Sequence, residues 1–180
     1  KNSALYVLRA NFKIGKNDLQ SALKDYDEAI EISPNNISLY FTRADIKEKL
    51  NDLDGAIEDI NIVLKMNKSS AKAYTYRADF KSFKGDYKEA ESDYTKAIEL
   101  DPNDALIYAY RGILKLTAYN DISRARIDFE KSNEVEPNHV AYTFLGQISM
   151  TKKDYIEAKA NFDKALQIDP NQSVCSRRIW

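Results

Sequence analysis

The sequence predicts an all-α solenoid built from antiparallel helix pairs, and three observations carry that expectation. Tyr6, Tyr40, Tyr74, Tyr108 and Tyr142 stand 34 residues apart, which resolves the 180 residues into five copies of one small unit. Ala10, Ala44, Ala78, Gly112 and Gly146 each follow a tyrosine by four residues and share its helical face. No alternating strand pattern competes, and short polar turns between helical stretches force antiparallel neighbours.

The elements follow in chain order. Repeat one is expected to place helices at 3–14 and 18–32, repeat two at 37–49 and 52–66, and repeat three at 71–83 and 86–100. Repeats four and five continue with 105–118 and 122–135, then 139–151 and 154–168. Asp18, Asp52, Asp86, Asp121 and Asp154 start the second helix of each pair, where a short carboxylate accepts orphan backbone N–H groups. Asp86 with Glu89, and Asp154 with Glu157, have capping-box spacing. Pro34, Pro102, Pro137 and Pro170, with Lys68 in repeat two, mark where the pairs end.

The second helices repeat as well. Ala22, Ala56, Ala90, Ala125 and Ala158 precede Tyr26, Ile60, Tyr94, Phe129 and Phe162, which precede Ala29, Val63, Ala97, Ser132 and Ala165. Large residues facing small ones let two helix backbones approach and receive a ring. One irregularity interrupts the count: Pro102 to Pro137 spans 35 residues and Pro137 to Pro170 spans 33. Repeat four therefore holds one extra residue between Gly112 and Asp121, and the turn before Tyr142 is one residue shorter.

This pattern resembles the tetratricopeptide repeat family across residues 3 to about 172, with Tyr74, Ala78, Ala90, Tyr94, Ala97 and Pro102 carrying the match in repeat three. Arg77 and Lys81 stand at the family's leucine and later tyrosine positions. The resemblance implies a right-handed superhelix of helix pairs whose first helices line a concave groove for a peptide or helix of another protein. On this reading residues 1–180 form a single repeat domain with units near 3–36, 37–70, 71–104, 105–138 and 139–172. Residues 173–180 are expected to start a capping helix or tail, with Val174, Cys175, Ile179 and Trp180 covering the last repeat.

Two departures from the family signature recur. Arg9, Arg43, Arg77 and Arg111 hold its leucine position, and Asp25, Asp59, Asp93 and Asp128 lie on the second helices. Repeat five loses both, as Leu145 and Asn161. Joint loss is what a physical pair predicts, so the arginines and aspartates are expected to form a ladder of semi-buried salt bridges, within a repeat or between neighbours. Lys13, Lys47, Lys81 and Lys115 also recur, and are expected to lay their stems on apolar surface with the ammonium groups in water.

Recognition is expected where the copies differ at equivalent first-helix positions. The family's groove positions correspond to Ala4, Val7, Asn11 and Ile14, then Ser38, Phe41, Asp45 and Glu48, then Lys72, Thr75, Asp79 and Ser82. Repeats four and five present Leu106, Ala109, Ile113 and Leu116, then Val140, Thr143, Gln147 and Met150. The expected partner-binding residues are Phe41, Asp45, Lys72, Tyr76, Asp79, Tyr110, Ile113, Leu116 and Met150, giving a mixed, partly acidic surface that turns apolar toward the C-terminus. Some family members clamp a C-terminal carboxylate; Asn11 and Lys72 would suit that role, but Val7 and Tyr76 replace its lysine and arginine.

Chemistry has little to stand on. A single histidine, His139, falls near a helix start, where it suits solvation or capping, and a single cysteine, Cys175, excludes an internal disulfide. No zinc set or phosphate loop is present in the sequence, and no carboxylate pair stands apart from capping and pairing. No catalytic residue, metal or cofactor is expected. With 27 basic and 28 acidic side chains there is no general attraction to nucleic acid or anionic membrane, and no run is apolar enough to span a bilayer. The chain opens on Lys1, as a processed or excised piece would, and a cytoplasmic location is the expectation. The function expected is a noncatalytic scaffold binding protein or peptide; the alternatives are a self-assembly module forming homo-oligomers, or a regulatory or substrate-positioning domain of a larger enzyme.

Overall fold

The computed structural model describes residues 2–170; the tail expected at 173–180 lies outside them. The described residues form ten helices and no strand: α1 (Ser3–Gly15), α2 (Leu19–Ile32), α3 (Ile37–Lys49), α4 (Leu53–Met66), α5 (Ala71–Lys84), α6 (Tyr87–Leu100), α7 (Ala105–Tyr119), α8 (Ile122–Val135), α9 (His139–Thr151) and α10 (Tyr155–Ile168). The architecture is an α-solenoid of antiparallel pairs.

Short polar side chains set the helix starts. Asp18, Asp52, Asp121 and Asp154 cap α2, α4, α8 and α10, accepting from the backbone N–H three residues on at 3.2, 2.9, 2.9 and 3.0 Å. The helices proper therefore begin one residue after Asp18, Asp52 and Asp154. A second series, Asn2, Asn36, Ser70, Asp104 and Asn138, caps the first helices at the same 34-residue step. Asn138, not His139, is the cap of α9. The capping box at Asp154 is only half formed, because the Glu157 side chain turns to Ser149 and Arg126, while the Asp154 N–H donates to the Ser149 carbonyl.

Within each pair the chain reverses through one left-handed residue: Asn17 (φ 61°), Asn51 (63°), Gly85 (92°), Asn120 (51°) or Lys153 (61°). The next N–H closes the turn onto the first helix. Asp18, Asp52, Asp86 and Asp154 donate to the carbonyls of Lys13, Lys47, Lys81 and Ser149, five residues back. Asp121 donates to the Lys115 carbonyl, six residues back, so the extra residue of repeat four is absorbed at the end of α7, which reaches 15 residues. The connection from α8 to α9 is correspondingly 136–138, against 33–36, 67–70 and 101–104 elsewhere.

The chain comprises two compact units, Lys1–Ala90 and Glu91–Trp180. In the first, α1 packs on α2, α2 on α3, α3 on α4 and α4 on α5. Its core runs from Ala10, Ala22 and Tyr26 through Ala44 and Ile60 to Ala73 and Phe80. In the second, α7 packs on α8, α8 on α9 and α9 on α10, around Ala109, Phe129, Ala141, Phe144 and Ile148. Phe129 stacks on Phe144 with ring centres 5.2 Å apart. Burying each such large side chain stabilises the fold by about 1.5–3 kcal/mol.

The small-residue series answers to its partner. Gly112 and Gly146 occur opposite phenylalanines: a Cβ there would lie 2.9 Å from the Phe129 ring or 2.6 Å from the Phe162 ring. The repeated tyrosines pin turns as well as fill space, since Tyr40 and Tyr108 donate their hydroxyls to the carbonyls of Pro34 and Pro102 at 2.9 and 3.3 Å.

Candidate functional site

Three of the four expected arginine–aspartate pairs meet through two N–H donors each. Arg9 holds Asp25 through Nε at 2.9 Å and Nη2 at 2.6 Å. Arg43 holds Asp59 at 3.0 and 2.6 Å, and Arg111 holds Asp128 at 3.0 and 2.8 Å. These carboxylates are almost wholly buried, as is Asp93. Planar guanidinium geometry matches both carboxylate oxygens, which is the arrangement that offsets the cost of burying charge.

The third nitrogen reaches backward. Nη1 of Arg43, Arg77 and Arg111 donates to Asp27 Oδ1 at 2.8 Å, Asn61 Oδ1 at 2.8 Å and Thr95 Oγ1 at 3.1 Å, each 16 residues upstream on the preceding second helix. Arg43 and Arg111 thus each fasten the two helices of their own repeat and stitch that repeat to the preceding second helix. Asp27, Asn61 and Thr95 keep the 34-residue step, but share only an acceptor oxygen, so residue type conceals the series.

Three of the four recurrent lysines overturn their sequence expectation. Lys13, Lys47 and Lys115 do not hold their ammonium groups out in water; Nζ lies 2.7, 3.0 and 2.8 Å from Asp25, Asp59 and Asp128. Lys13 and Lys47 also donate to the carbonyls of Ser21 and Gly55, both at 3.1 Å. A desolvated carboxylate with two acceptor oxygens has room for a second cation, and burial makes that contact worth more than hydration. The signal lay in repeat five, where Ser149 replaces the lysine together with Leu145 and Asn161.

Repeat five substitutes another polar arrangement. Ser149 Oγ donates to Glu157 at 2.8 Å, and Arg126 of α8 reaches Glu157 at 2.6 Å and Glu130 at 2.7 Å. The periodic tyrosines change partner with the ladder. The guanidinium groups of Arg9, Arg43 and Arg77 lie 5.4, 5.6 and 5.3 Å from the rings of Tyr6, Tyr40 and Tyr74, whereas Lys164 takes that place over Tyr142 at 5.2 Å.

Titration follows these contacts. The hydrogen bond from Arg9, supported by Lys13, holds the Asp25 carboxyl down to about 2 against the opposing effect of burial. Burial alone would lower Arg43; hydrogen bonding and charge from Asp59, then Asp27, outweigh it and raise the guanidinium above its ordinary value. The Ser149 hydroxyl, followed by Arg126, draws Glu157 below the usual carboxylate range.

The expected recognition residues fall into one set in each unit. In the first unit Lys72 of α5 lies over two rings, 4.8 Å from the centre of Phe41 on α3 and 5.6 Å from that of Tyr76. Phe41 and Tyr76 meet edge to face at 5.0 Å, and Tyr76 meets Phe80 likewise at 6.0 Å. Phe41, Asp45, Tyr76 and Asp79 are all half-buried, while Lys72 is exposed. Tyr76, which stands where a carboxylate clamp would have arginine, is built into this aromatic row. Asn11 accepts the Tyr26 hydroxyl at 2.8 Å.

In the second unit Tyr110 is half-buried, and Ile113 and Leu116 are half-buried against the core, whereas Met150 is 47% exposed. Two further first-helix positions expected on the groove are interior: Ala109 and Val140 belong to the cluster anchored by Phe129 and Phe144. Position along one helix does not reveal what the next helix covers. Among the described residues no group of three or more His, Cys, Asp or Glu side chains could hold a metal, and no helix is long and apolar enough to cross a membrane.

Repeated helix pairs with residue-by-residue periodic packing define a helical repeat protein. Sequence models of the tetratricopeptide repeat match residues 3–36, 71–104 and 140–172, and also 25–58, a window that begins within α2 and ends within α4. The chain belongs to the tetratricopeptide repeat family. A tetratricopeptide repeat protein from Parabacteroides merdae is 25% identical, with 96% of this chain and 67% of that one aligned and a TM-score of 0.75. MamA from Desulfovibrio magneticus is 19% identical over 95% and 97% of the two chains, with a TM-score of 0.74. PilF of Pseudomonas aeruginosa is 18% identical over 95% and 78%, with a TM-score of 0.78. These last two show the fold alone. No curated protein sequence matches the chain.

Proposed function

We propose that the protein is a noncatalytic scaffold whose first-helix surfaces bind a peptide or helix of another protein. The observation that carries this reading is the Lys72, Phe41 and Tyr76 cluster of the first unit. Two half-buried rings on successive first helices offer a large, stiff contact area, and Tyr76 and Lys72 add a polar handle and a cation beside it. A peptide carrying an apolar side chain next to a carboxylate meets both features. Ile113, Leu116 and Met150 extend the same first-helix function as an apolar surface in the second unit. The ladder arginines and lysines are excluded from recognition, because their donors are directed into Asp25, Asp59 and Asp128.

Affinity capture followed by mass spectrometry tests the reading, comparing the native chain with a Lys72→Ala, Tyr76→Ala, Met150→Ala variant whose helicity is verified. The expected result is loss of specific partners from the variant and their retention by an Ile127→Ala control on α8. Equal retention by native chain and variant would overturn it.

A further inference from the structure

Repeat five keeps the surroundings of the ladder guanidinium without the guanidinium itself. In repeat two three helices meet that group: Asp27 of α2, Asp59 of α4 and the Tyr40 ring of α3, 5.6 Å away. The same register positions in repeat five hold Glu130 of α8, Asn161 of α10 and Tyr142 of α9, while Leu145 stands where Arg43 does. All three helices lie within the described residues, and between them runs a cleft of about 370 Å³ lined by Glu130, Tyr142, Leu145 and Asn161. That volume is within the range of small-molecule sites, ~300–1,000 Å³.

The walls of this cleft hold unused acceptors. Asn161 is only 9% exposed, yet among the described residues its side-chain amide has no hydrogen-bond partner. A buried amide without a partner is costly, and a ligand that pairs with it removes that cost. Glu130 accepts Arg126 Nε through Oε1 at 2.7 Å, and among the described residues its Oε2 accepts nothing. Arg126 does not close the cleft, because its Nη2 runs to Glu157 at 2.6 Å, one helical turn before Asn161 on α10. The Tyr142 ring carries the Lys164 ammonium at 5.2 Å, an exposed side chain whose displacement into water costs little. Three carboxylates, Glu130, Glu134 and Glu157, face two cations, Arg126 and Lys164, so the lining favours an incoming cation. Two acceptors on facing helices and a ring between them suit a planar guanidinium better than an ammonium, as Arg43 demonstrates within the same fold. We propose that the cleft between α8 and α10 binds an arginine side chain supplied by another molecule. Its guanidinium donates to Asn161 Oδ1 and Glu130 Oε2 and lies over Tyr142 in place of Lys164. The site is separate from the first-helix surfaces assigned to peptide binding.

Titration of the 180-residue chain with N-acetylarginine amide, followed by NMR at the Asn161 side-chain amide and the Tyr142 ring, tests the inference. Both signals should move saturably, and N-acetyllysine amide and N-acetylglutamate amide should bind at least about tenfold more weakly. Free arginine in a parallel titration identifies the source. Binding as tight as that of the amide supports a small-molecule ligand, weaker binding supports an arginine held within a chain, and either retains the guanidinium site. Lys164→Ala should tighten binding by about two- to fivefold, because it uncovers Tyr142, whereas a site for anions would lose affinity. Leu145→Arg combined with Asn161→Asp rebuilds the internal rung and should abolish binding, with circular dichroism verifying its fold. The Lys164→Ala comparison stands on its own if that variant does not fold, since Lys164 is exposed. No saturable shift, an equal response to the lysine or glutamate amide, weaker binding by Lys164→Ala, or undiminished binding by the folded rung variant would each overturn the inference.

Discussion

Arg43 donates to Asp27, on the second helix of the preceding repeat, at 2.8 Å, while its other two nitrogen donors hold Asp59 within its own repeat. The side chain therefore couples three helices. In a linear repeat protein, stability is a sum of terms within repeats and terms between neighbours, and this residue contributes to both.

Removal of the arginine alone should therefore cost more than removal of the set. In Arg43→Leu, Asp59 stays buried without its bidentate partner and with only Lys47 beside it, so the loss should approach, without reaching, the cost of about 3–5 kcal/mol for an uncompensated buried charge. Transplanting the repeat-five combination as Arg43→Leu, Lys47→Ser and Asp59→Asn should cost less, since no buried charge remains short of a partner. Urea denaturation followed by circular dichroism makes the comparison. A triple variant less stable than Arg43→Leu would contradict the account of the ladder.

Acid should loosen the first repeat in a defined window. The folded Asp25 carboxyl lies at about 2, below the ordinary aspartate value near 3.9, so the folded state binds fewer protons than the unfolded one between those values. The stabilisation is complete above about pH 4 and is lost as the pH falls toward 2. Arg9→Gln should move the Asp25 carboxyl upward, and carbon-detected NMR titration reads both values. A native Asp25 titrating near 4 would remove the electrostatic argument for this pair.

The fit between repeat four's helices should appear as non-additivity. Gly112→Ala places a Cβ 2.9 Å from the Phe129 ring and should cost about 1–3 kcal/mol. Repeat two has Ala44 and Ile60 at the corresponding positions, both fully buried. Adding Phe129→Ile should therefore recover part of the loss, and a double-mutant thermal cycle should give a favourable interaction energy of at least about 0.5 kcal/mol. Additive losses would show that ring and Cβ do not compete.

Much of the scaffold was legible in the sequence because the contacts that define it recur every 34 residues. Tyr40 and Ala44, read with Ile60 and Val63, already specify which faces of α3 and α4 meet. The one-residue slip was legible from the prolines for the same reason. The role of Lys47 was not, because a long side chain can lie along a surface or turn into it, and only the position of Asp59 decides. Asp27, Asn61 and Thr95 were hidden by having three different chemistries with one shared function. On the candidate site, position on the first helices placed Phe41, Lys72 and Tyr76 in a wider set with Asp45, Asp79 and Tyr110, but did not reveal the ring geometry that joins them, nor the burial of Ala109 and Val140.

The turn residues offer a stabilising change. Lys153 adopts φ 61°, where the same turns elsewhere use Asn17, Asn51, Gly85 and Asn120. A β-carbon in the left-handed region crowds the following carbonyl, at a cost of roughly 1–2 kcal/mol, which asparagine offsets through local hydrogen bonding and glycine avoids. Glycine also adds freedom to the unfolded chain, so its net benefit is smaller. Lys153→Asn and Lys153→Gly should each raise the midpoint of thermal unfolding, by about 0.5–1 kcal/mol in stability. Gly85→Ala, at φ 92°, should lower it; a Cβ there meets nothing within 4 Å, so the loss would come from the backbone alone. Differential scanning calorimetry of the three variants separates the signs. If Lys153→Gly melts below the native chain, the left-handed turn is not the strained element of repeat five.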